Sequence, residues 1–363
     1  MKKLTYSIFA AALACGFASA TTTAYTTPVG YMTVPLPGTG GGSPQTLQLG
    51  NQGLLPSGPA YAAGGSTVTF GSDGTGTYLQ DTNATWAAGA YVNGSSVSNL
   101  LEITSAGALK GAMSWITSSA TQKLYTADNL SAAGAGASYR VWAAYTMASL
   151  FGSPPTSSVI AAGADGAAAD NVEIYDPVAD KYTVFFYRTA SKGAQGWQCD
   201  DASITDPTNY AIHPNDGLVV LRKQSADGSL VISGSVKDGP TMVRVDGDST
   251  PGKTTLNILA NQIPVNQLTP SNSGVYTGDG ATGLQSGADA SSADNLLVFD
   301  AASNAYKVFF YRTASKGAQG WQCDDAAVTD PANFVIPSTG AILIQRKAAA
   351  SFNWTIPAVS IAP

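Results

Sequence analysis

A block of 19 residues occurs twice in this chain of 363. VFFYRTASKGAQGWQCDDA stands at 184–202 and again at 308–326, a shift of 124 residues. Self-similarity at a fixed spacing means that one structural unit is built more than once. The flanks have drifted but kept their pattern. NVEIYDPVADKYT (171–183) aligns with NLLVFDAASNAYK (295–307), and SITDPTNYAI (203–212) with AVTDPANFVI (327–336). Ile174 becomes Val298, Tyr175 becomes Phe299 and Tyr210 becomes Phe334. Two explanations of the identical block stand side by side: recent sequence exchange between the copies, or a binding surface that both share.

A fainter third copy precedes these two by pattern alone. Tyr31-Met-Thr-Val, Leu124-Tyr-Thr-Ala and Met242-Val-Arg-Val each lead into a Gly/Ser-rich loop. The runs TLQLGN (46–51), YRVWAAY (139–145) and TLNILAN (255–261) follow, then hairpin-like pairs at 68–78, 173–182 and 297–306, then Trp86, Trp197 and Trp321. The reading that results is a signal peptide at 1–20, an N-terminal β unit at 21–115, repeat unit 1 at 116–239 and repeat unit 2 at 240–363.

The runs are short, rich in Val, Ile, Thr, Phe and Tyr, and bounded by Gly, Asp, Asn and Pro, which is the pattern of strands and turns. Helix-favouring Glu is nearly absent, only Glu102 and Glu173. The expected fold class is all-β: tandem, degenerate β-sandwich or barrel-like units with short strands. Val184 to Tyr187 reads as a strand buried on both faces, and SKGAQG (191–196) as a hairpin loop. After it, Trp197, Cys199 and Asp201 alternate with Gln198 and Asp200. Thr146–Gly152 reads as one helical turn, stopped by Gly152 and Pro154-Pro155. The Pro/Gly/Ser/Thr-rich stretches at 35–44, 153–168 and 268–292 read as loops.

Lys2 and Lys3, an apolar stretch from Tyr6 to Ala14 and the small residues Ala18-Ser19-Ala20 form a secretory signal pattern. Cys15, preceded by Ala12-Leu13-Ala14, leaves lipoprotein processing as a second route. No later run reaches the ~18 apolar residues of a membrane helix. Charged residues make up only 12% and the net charge is −6, which argues against nucleic acid or an anionic membrane as partner. The expected location is secreted or at the cell surface, with the periplasm as an alternative.

Few residues offer chemistry. His213 is the single histidine; it reads as a one-residue insertion in a surface loop rather than a catalytic base, and no His/Cys cluster suggests zinc. Asp200, Asp201 and Asp206, with Asp324, Asp325 and Asp330, form two equivalent acidic groups. Turn-starting and ion pairing with Arg188 and Lys192 are expected of them, with calcium as the alternative. Trp197 and Trp321, with Tyr187, Tyr311, Arg188, Arg312, Gln195 and Gln319, have the residue types of a sugar site: aromatic faces for rings and planar polar groups for hydroxyls. The competing reading places both Trp in the core. Cys199 and Cys323 occupy equivalent positions in an exported chain, so one internal bridge across a pseudo-twofold axis is an expectation, beside buried thiols or a bridge between chains. No Walker loop or dinucleotide fingerprint occurs, and no cofactor or metal is expected.

The opening TTPVGYMTVPLP (26–37), the run YRVWAAYTMASLFG (139–152) and the paired ADN of 169–171 and 293–295 resemble a family of exported bacterial proteins of the Verrucomicrobia group, often present as several paralogues. That resemblance implies export and repeat architecture; the family has no assigned activity. The expected role is therefore a non-enzymatic structural or adhesive surface protein. Unmatched strand edges would support self-association. The alternative is a secreted protein that binds extracellular polysaccharide through the duplicated Trp loops.

Overall fold

Alternating runs pair with partners far away in the chain. The computed structural model describes residues 29–50, 53–94, 96–250, 252–263, 265–300 and 305–358. The expected signal peptide and Cys15 lie outside them. The architecture is nearly all β. One five-stranded sheet runs in the order Gly196–Cys199, Lys181–Arg188, Asn171–Asp176, Leu218–Arg222, Gln45–Leu49. A second runs Gly320–Cys323, Ala305–Arg312, Asn295–Asp300, Ala341–Arg346, Thr255–Ala260. Every neighbouring pair is antiparallel.

Each sheet is covered by a smaller one. Val29–Leu36 pairs with Gly228–Val236 over the first, and Thr241–Val245 with Phe352–Ile356 over the second. The apolar faces meet as in a sandwich. Val34, Leu36, Leu230 and Ile232 pack on Val172, Phe185 and Val220. Val243, Val245, Trp354 and Ile356 pack on Leu296, Phe309 and Ile344. The expected helical turn is present as Met147–Phe151, capped by the Thr146 hydroxyl and ended at Gly152, whose φ of 94° suits glycine.

Strand pairing corrects the expected boundaries. The 45–49 strand sets Leu49 opposite Leu218, while the 255–260 strand sets Leu259 opposite Ile342. Tyr31-Met-Thr-Val and TLQLGN therefore supply the first strands of the first repeat unit, not of a third copy. Equivalent positions lie 210 residues apart there (Leu49 to Leu259) but 124 apart later (Leu218 to Ile342). The first unit thus carries an excess of 86 residues. They fold as a separate seven-stranded sheet, ordered Tyr61–Ala63, Tyr139–Ala143, Asn99–Ile103, Met113–Ala120, Lys123–Thr126, Gly76–Asp81, Val68–Asp73. This sheet has its own core around Val68, Trp86, Leu101, Ile116 and Tyr139. Register also removes the expected insertion at His213: the offset stays at 124 from Ile174 to Arg222, so His213 stands where the second unit has Pro337.

Buried charges join these parts. Glu102, one of the two glutamates, accepts from the Trp142 indole at 2.6 Å and pairs with Lys237 at 2.9 Å, with both charges buried. This contact ties the inserted sheet to the chain leaving the first unit. The repeated ADN motif has a structural explanation. Asp170 and Asp294 are fully buried, each accepting a backbone N–H from the Lys that follows a buried Arg. Asp294 meets Arg346 at 2.5 Å; Asp170 lies 3.8 Å from Arg222. Buried ions of this kind persist only when paired and hydrogen-bonded.

The two units meet through equivalent residues. A Cβ on Gly50 would sit 3.0 Å from the Cα of Ala260, and one on Gly217 would sit 2.9 Å from the Cβ of Ala341. Val219 and its counterpart Leu343 share one apolar cluster. Contact between equivalent positions is the mark of a pseudo-twofold relation. The relation is broken at one place: Asn215–Gly217 of the first unit pairs with the outer edge of the 255–260 strand, the Gly217 N–H donating to the Ile258 carbonyl at 3.0 Å. The corresponding outer edge of the 45–49 strand has no strand partner among the described residues.

Candidate functional site

The repeated block divides into a buried half and an exposed half. Phe185 and Trp197 are buried in the first core, Phe309 and Trp321 in the second. Trp197 keeps 2% of its surface and Trp321 8%, which leaves no open face for a sugar ring. The Trp197 indole donates to the Gly152 carbonyl and packs against Phe151 and Tyr187. Trp321 lies against Tyr276 and Tyr311. Of the two readings of Trp197 and Trp321, the structure shows the core one and not the stacking one: strand alternation turns them inward. Around them the core has drifted, with Phe151 against Trp197 in one unit and Tyr276 against Trp321 in the other.

The hairpin loops are exposed from Ala190 to Gln195 and from Ala314 to Gln319. In each, the Arg188 or Arg312 Nε donates to the loop carbonyl of Ala194 or Ala318 at 3.0 Å. Each guanidinium lies against Gly193 or Gly317, where a Cβ would come within 3.3 Å. Those arginines lock the loop and do not reach outward. Lys192 pairs with Asp165 at 2.6 Å and Lys316 with Asp289 at 2.7 Å. The lysine beside Asp289 holds that carboxyl well below the usual range. Gln195 and Gln319 remain at the surface.

The acidic groups cap turns. Asp200 and Asp324 each accept the N–H of the adjacent strand at 2.8 Å, from Val184 and Val308. Asp206 and Asp330 accept from Asn209 and Asn333. Their expected partners, Arg188 and Lys192, are engaged elsewhere. Lys181 lies 3.6 Å from Asp201 instead, and Lys307 pairs with Asp325. These two lysines sit two residues apart in register, hence on the same strand face. Among the described residues no group of three or more His, Cys, Asp or Glu could hold a metal ion.

Cys199 and Cys323 are both free thiols, which corrects the expected bridge. The copies do meet about a pseudo-twofold axis, but at the opposite ends of their sheets. Both cysteines lie on the far edge strands, and each side chain packs on its own unit's core. Burial, reinforced by the neighbouring Asp200 and Asp201, pushes the Cys199 thiol up to about 11.

The seam between the units forms two clefts, and strand register makes them counterparts. The first, about 550 Å³, lies between Val34, Leu47 and Leu49 of the first unit and Val298, Phe299 and Ile336 of the second. Its walls are mostly apolar, with Asp227, Asp300 and Lys307 also lining it and Gln48 buried there with its Oε1 unpaired. The other, about 790 Å³, lies between Val243, Asn257 and Leu259 of the second unit and Tyr175, His213 and Asp216 of the first. Val34 corresponds to Val243, Leu49 to Leu259, Phe299 to Tyr175 and Pro337 to His213. The inserted sheet walls only the larger cleft, with Met113, Trp115 and Asp128.

His213 is half-buried there, not a loop residue at the surface. Its Nδ1 accepts the Asn215 N–H at 3.1 Å, and burial drives its pKa down to about 4. Burial drives the Asp216 carboxyl up to about 7. Sequence reading missed this cleft because three segments distant in the chain build it. Among the described residues, no helix is long and apolar enough to cross a membrane. No protein-family model, curated protein or solved structure matches the chain.

Proposed function

We propose that this is an exported, non-enzymatic structural or adhesive protein that joins copies through two identical surface hairpins. The observation that carries this reading is a mismatch of constraints. The core around the hairpins has drifted at Val172, Ile174 and Val220 (Leu296, Val298 and Ile344), yet within the repeated block the buried Phe185 and Trp197 and the exposed residues Ser191 to Gln195 all recur unchanged. Packing constrains inward residues, and it does not explain identity in side chains that face water. Both hairpins adjoin the outermost strands of their sheets, Gly196–Cys199 and Gly320–Cys323. Identical free edges are self-complementary when they meet antiparallel. A molecule with one such edge at each end chains onto its neighbours by a repeated two-fold contact.

Light scattering of residues 21–363 over a concentration series tests this. The parent forms growing assemblies. Replacing Ser191, Lys192 and Gln195 with Glu in one hairpin caps growth at dimers, and replacing the same set in both hairpins leaves monomers. A parent that stays monomeric at every concentration overturns the reading.

A further inference from the structure

Five of the six tryptophans are buried: Trp86, Trp142, Trp197, Trp321 and Trp354 keep 8% of their surface or less. Trp115 alone is half-exposed. It projects from the strand Met113–Ala120 of the inserted sheet and meets the His213 ring edge-on, 5.2 Å between centroids. Trp115 is a wall of two adjoining cavities, the 790 Å³ seam cleft and a second of about 330 Å³, and Asp216 is the other residue common to both. The two cavities thus adjoin at a single indole.

The lining is unlike that of the mostly apolar counterpart cleft. The larger cavity presents Asp128, Asn129 and Asn353, and the smaller one Ser203, Thr205 and Asn209. The Asn215 amide donates to the Met242 carbonyl, while its Oδ1 is buried without a partner. Carboxylates and amides spaced about an aromatic face match vicinal hydroxyls around the C–H face of a sugar ring. Arg244, the one basic residue on the wall, is already paired with Asp246 at 2.6 Å. The groove therefore keeps an acidic balance that disfavours uronic acids, sulfates and phosphates.

We infer that the groove over Trp115 is a binding site for an uncharged oligosaccharide, with Trp115 as its stacking platform and Asp216 as a hydrogen-bonding contact to both halves. This inference is independent of the hairpin contacts proposed above. A volume of this size is within the range of sites that enclose a small ligand.

The test is titration of residues 21–363 with cellohexaose, xylohexaose and chitohexaose, read by tryptophan fluorescence and calorimetry. At least one probe is expected to bind with a fluorescence change. Trp115→Ala is expected to weaken that binding about tenfold or more. Trp115→Tyr retains most of it, and Asp216→Asn weakens it without lowering the unfolding midpoint. If Trp115→Ala fails to fold, the Tyr and Asn variants decide. The inference is overturned if none of the three probes binds, if binding survives Trp115→Ala undiminished, or if glucuronic acid oligomers bind better than neutral ones.

Discussion

The two seam clefts are lined from equivalent positions of the two units and differ in size and lining. One is mostly apolar around the buried amide of Gln48, with Asp227, Asp300 and Lys307 also in its lining. The other is polar, larger and roofed by the inserted sheet. The edge strands behind them diverge as well. The 255–260 strand is paired by Asn215–Gly217, while the 45–49 strand has an open edge. Duplication made two symmetric hollows, and one insertion was enough to give them separate chemistry. Where the first unit has His213 and Asp216, the second has Pro337 and Gly340.

The comparison can be broken most forcefully at the buried ion pairs. Asp294→Ala strands the fully buried Arg346 and is expected to cost about 3–5 kcal/mol in denaturant unfolding. Asp170→Ala is expected to cost roughly 1 kcal/mol less, since Asp170 lies 3.8 Å from Arg222 where Asp294 lies 2.5 Å from Arg346; both arginines also donate to backbone carbonyls. Equal losses would mean that the looser pair is energetically equivalent to the tighter one.

Acid–base behaviour sharpens the comparison next. Between pH about 4 and 7 the folded protein keeps a proton on Asp216 that the unfolded chain releases, so this group makes stability fall as pH rises. Between about 4 and 6.5 the unfolded chain binds a proton on His213 that the folded state excludes, so that group makes stability rise with pH. The two nearly cancel in the parent. His213→Gln is expected to expose the falling limb and Asp216→Asn the rising one. Each slope stays below the one-proton limit of about 1.4 kcal/mol per pH unit, because both groups keep some solvent contact. Melting curves at half-unit pH intervals read this directly.

Smaller effects follow. Gln48→Ile installs the residue that the second unit has at the equivalent Ile258 and removes a buried unpaired acceptor. A gain of about 1 kcal/mol is expected, offset in part by the partner that Tyr306 loses. Smallest of all, an alkylating reagent at pH 8 should label Cys199 more slowly than a free cysteine, because its thiol stays protonated. Mass spectrometry of intact and reduced protein should give the same mass.

Much of the fold was legible in the sequence. Turn-bounded runs gave the strands, the 124-residue shift gave the paired units, and the Thr146–Gly152 turn formed as expected. What escaped was pairing across distance. Tyr31-Met-Thr-Val and TLQLGN carry the marks of strands, but no local pattern reveals that their partners lie beyond residue 217. Residue type also misled at the tryptophans. Trp197 and Trp321 drew attention by repetition and are core, while Trp115 sits in an unremarkable serine-rich strand and faces the groove.

Gly234 shows why an 86-residue interruption leaves the first unit intact. A Cβ there would lie 2.1 Å from the Leu55 carbonyl and 2.7 Å from the Tyr145 hydroxyl, so the chain enters and leaves the insertion over one glycine. Val29 must wait for Ser235 before its ladder closes, a span of 206 residues. Such distant closure is slow when the intervening chain is loose. Three of the six neighbouring pairs in the inserted sheet join consecutive strands, and the others pair residues much closer together than Val29 and Ser235. Once folded, it brings its own two ends together and presents the remaining strands with a much shorter loop to close. The length that separates Val29 from Ser235 along the chain is therefore not the length of loop that their ladder spans in the folded insertion.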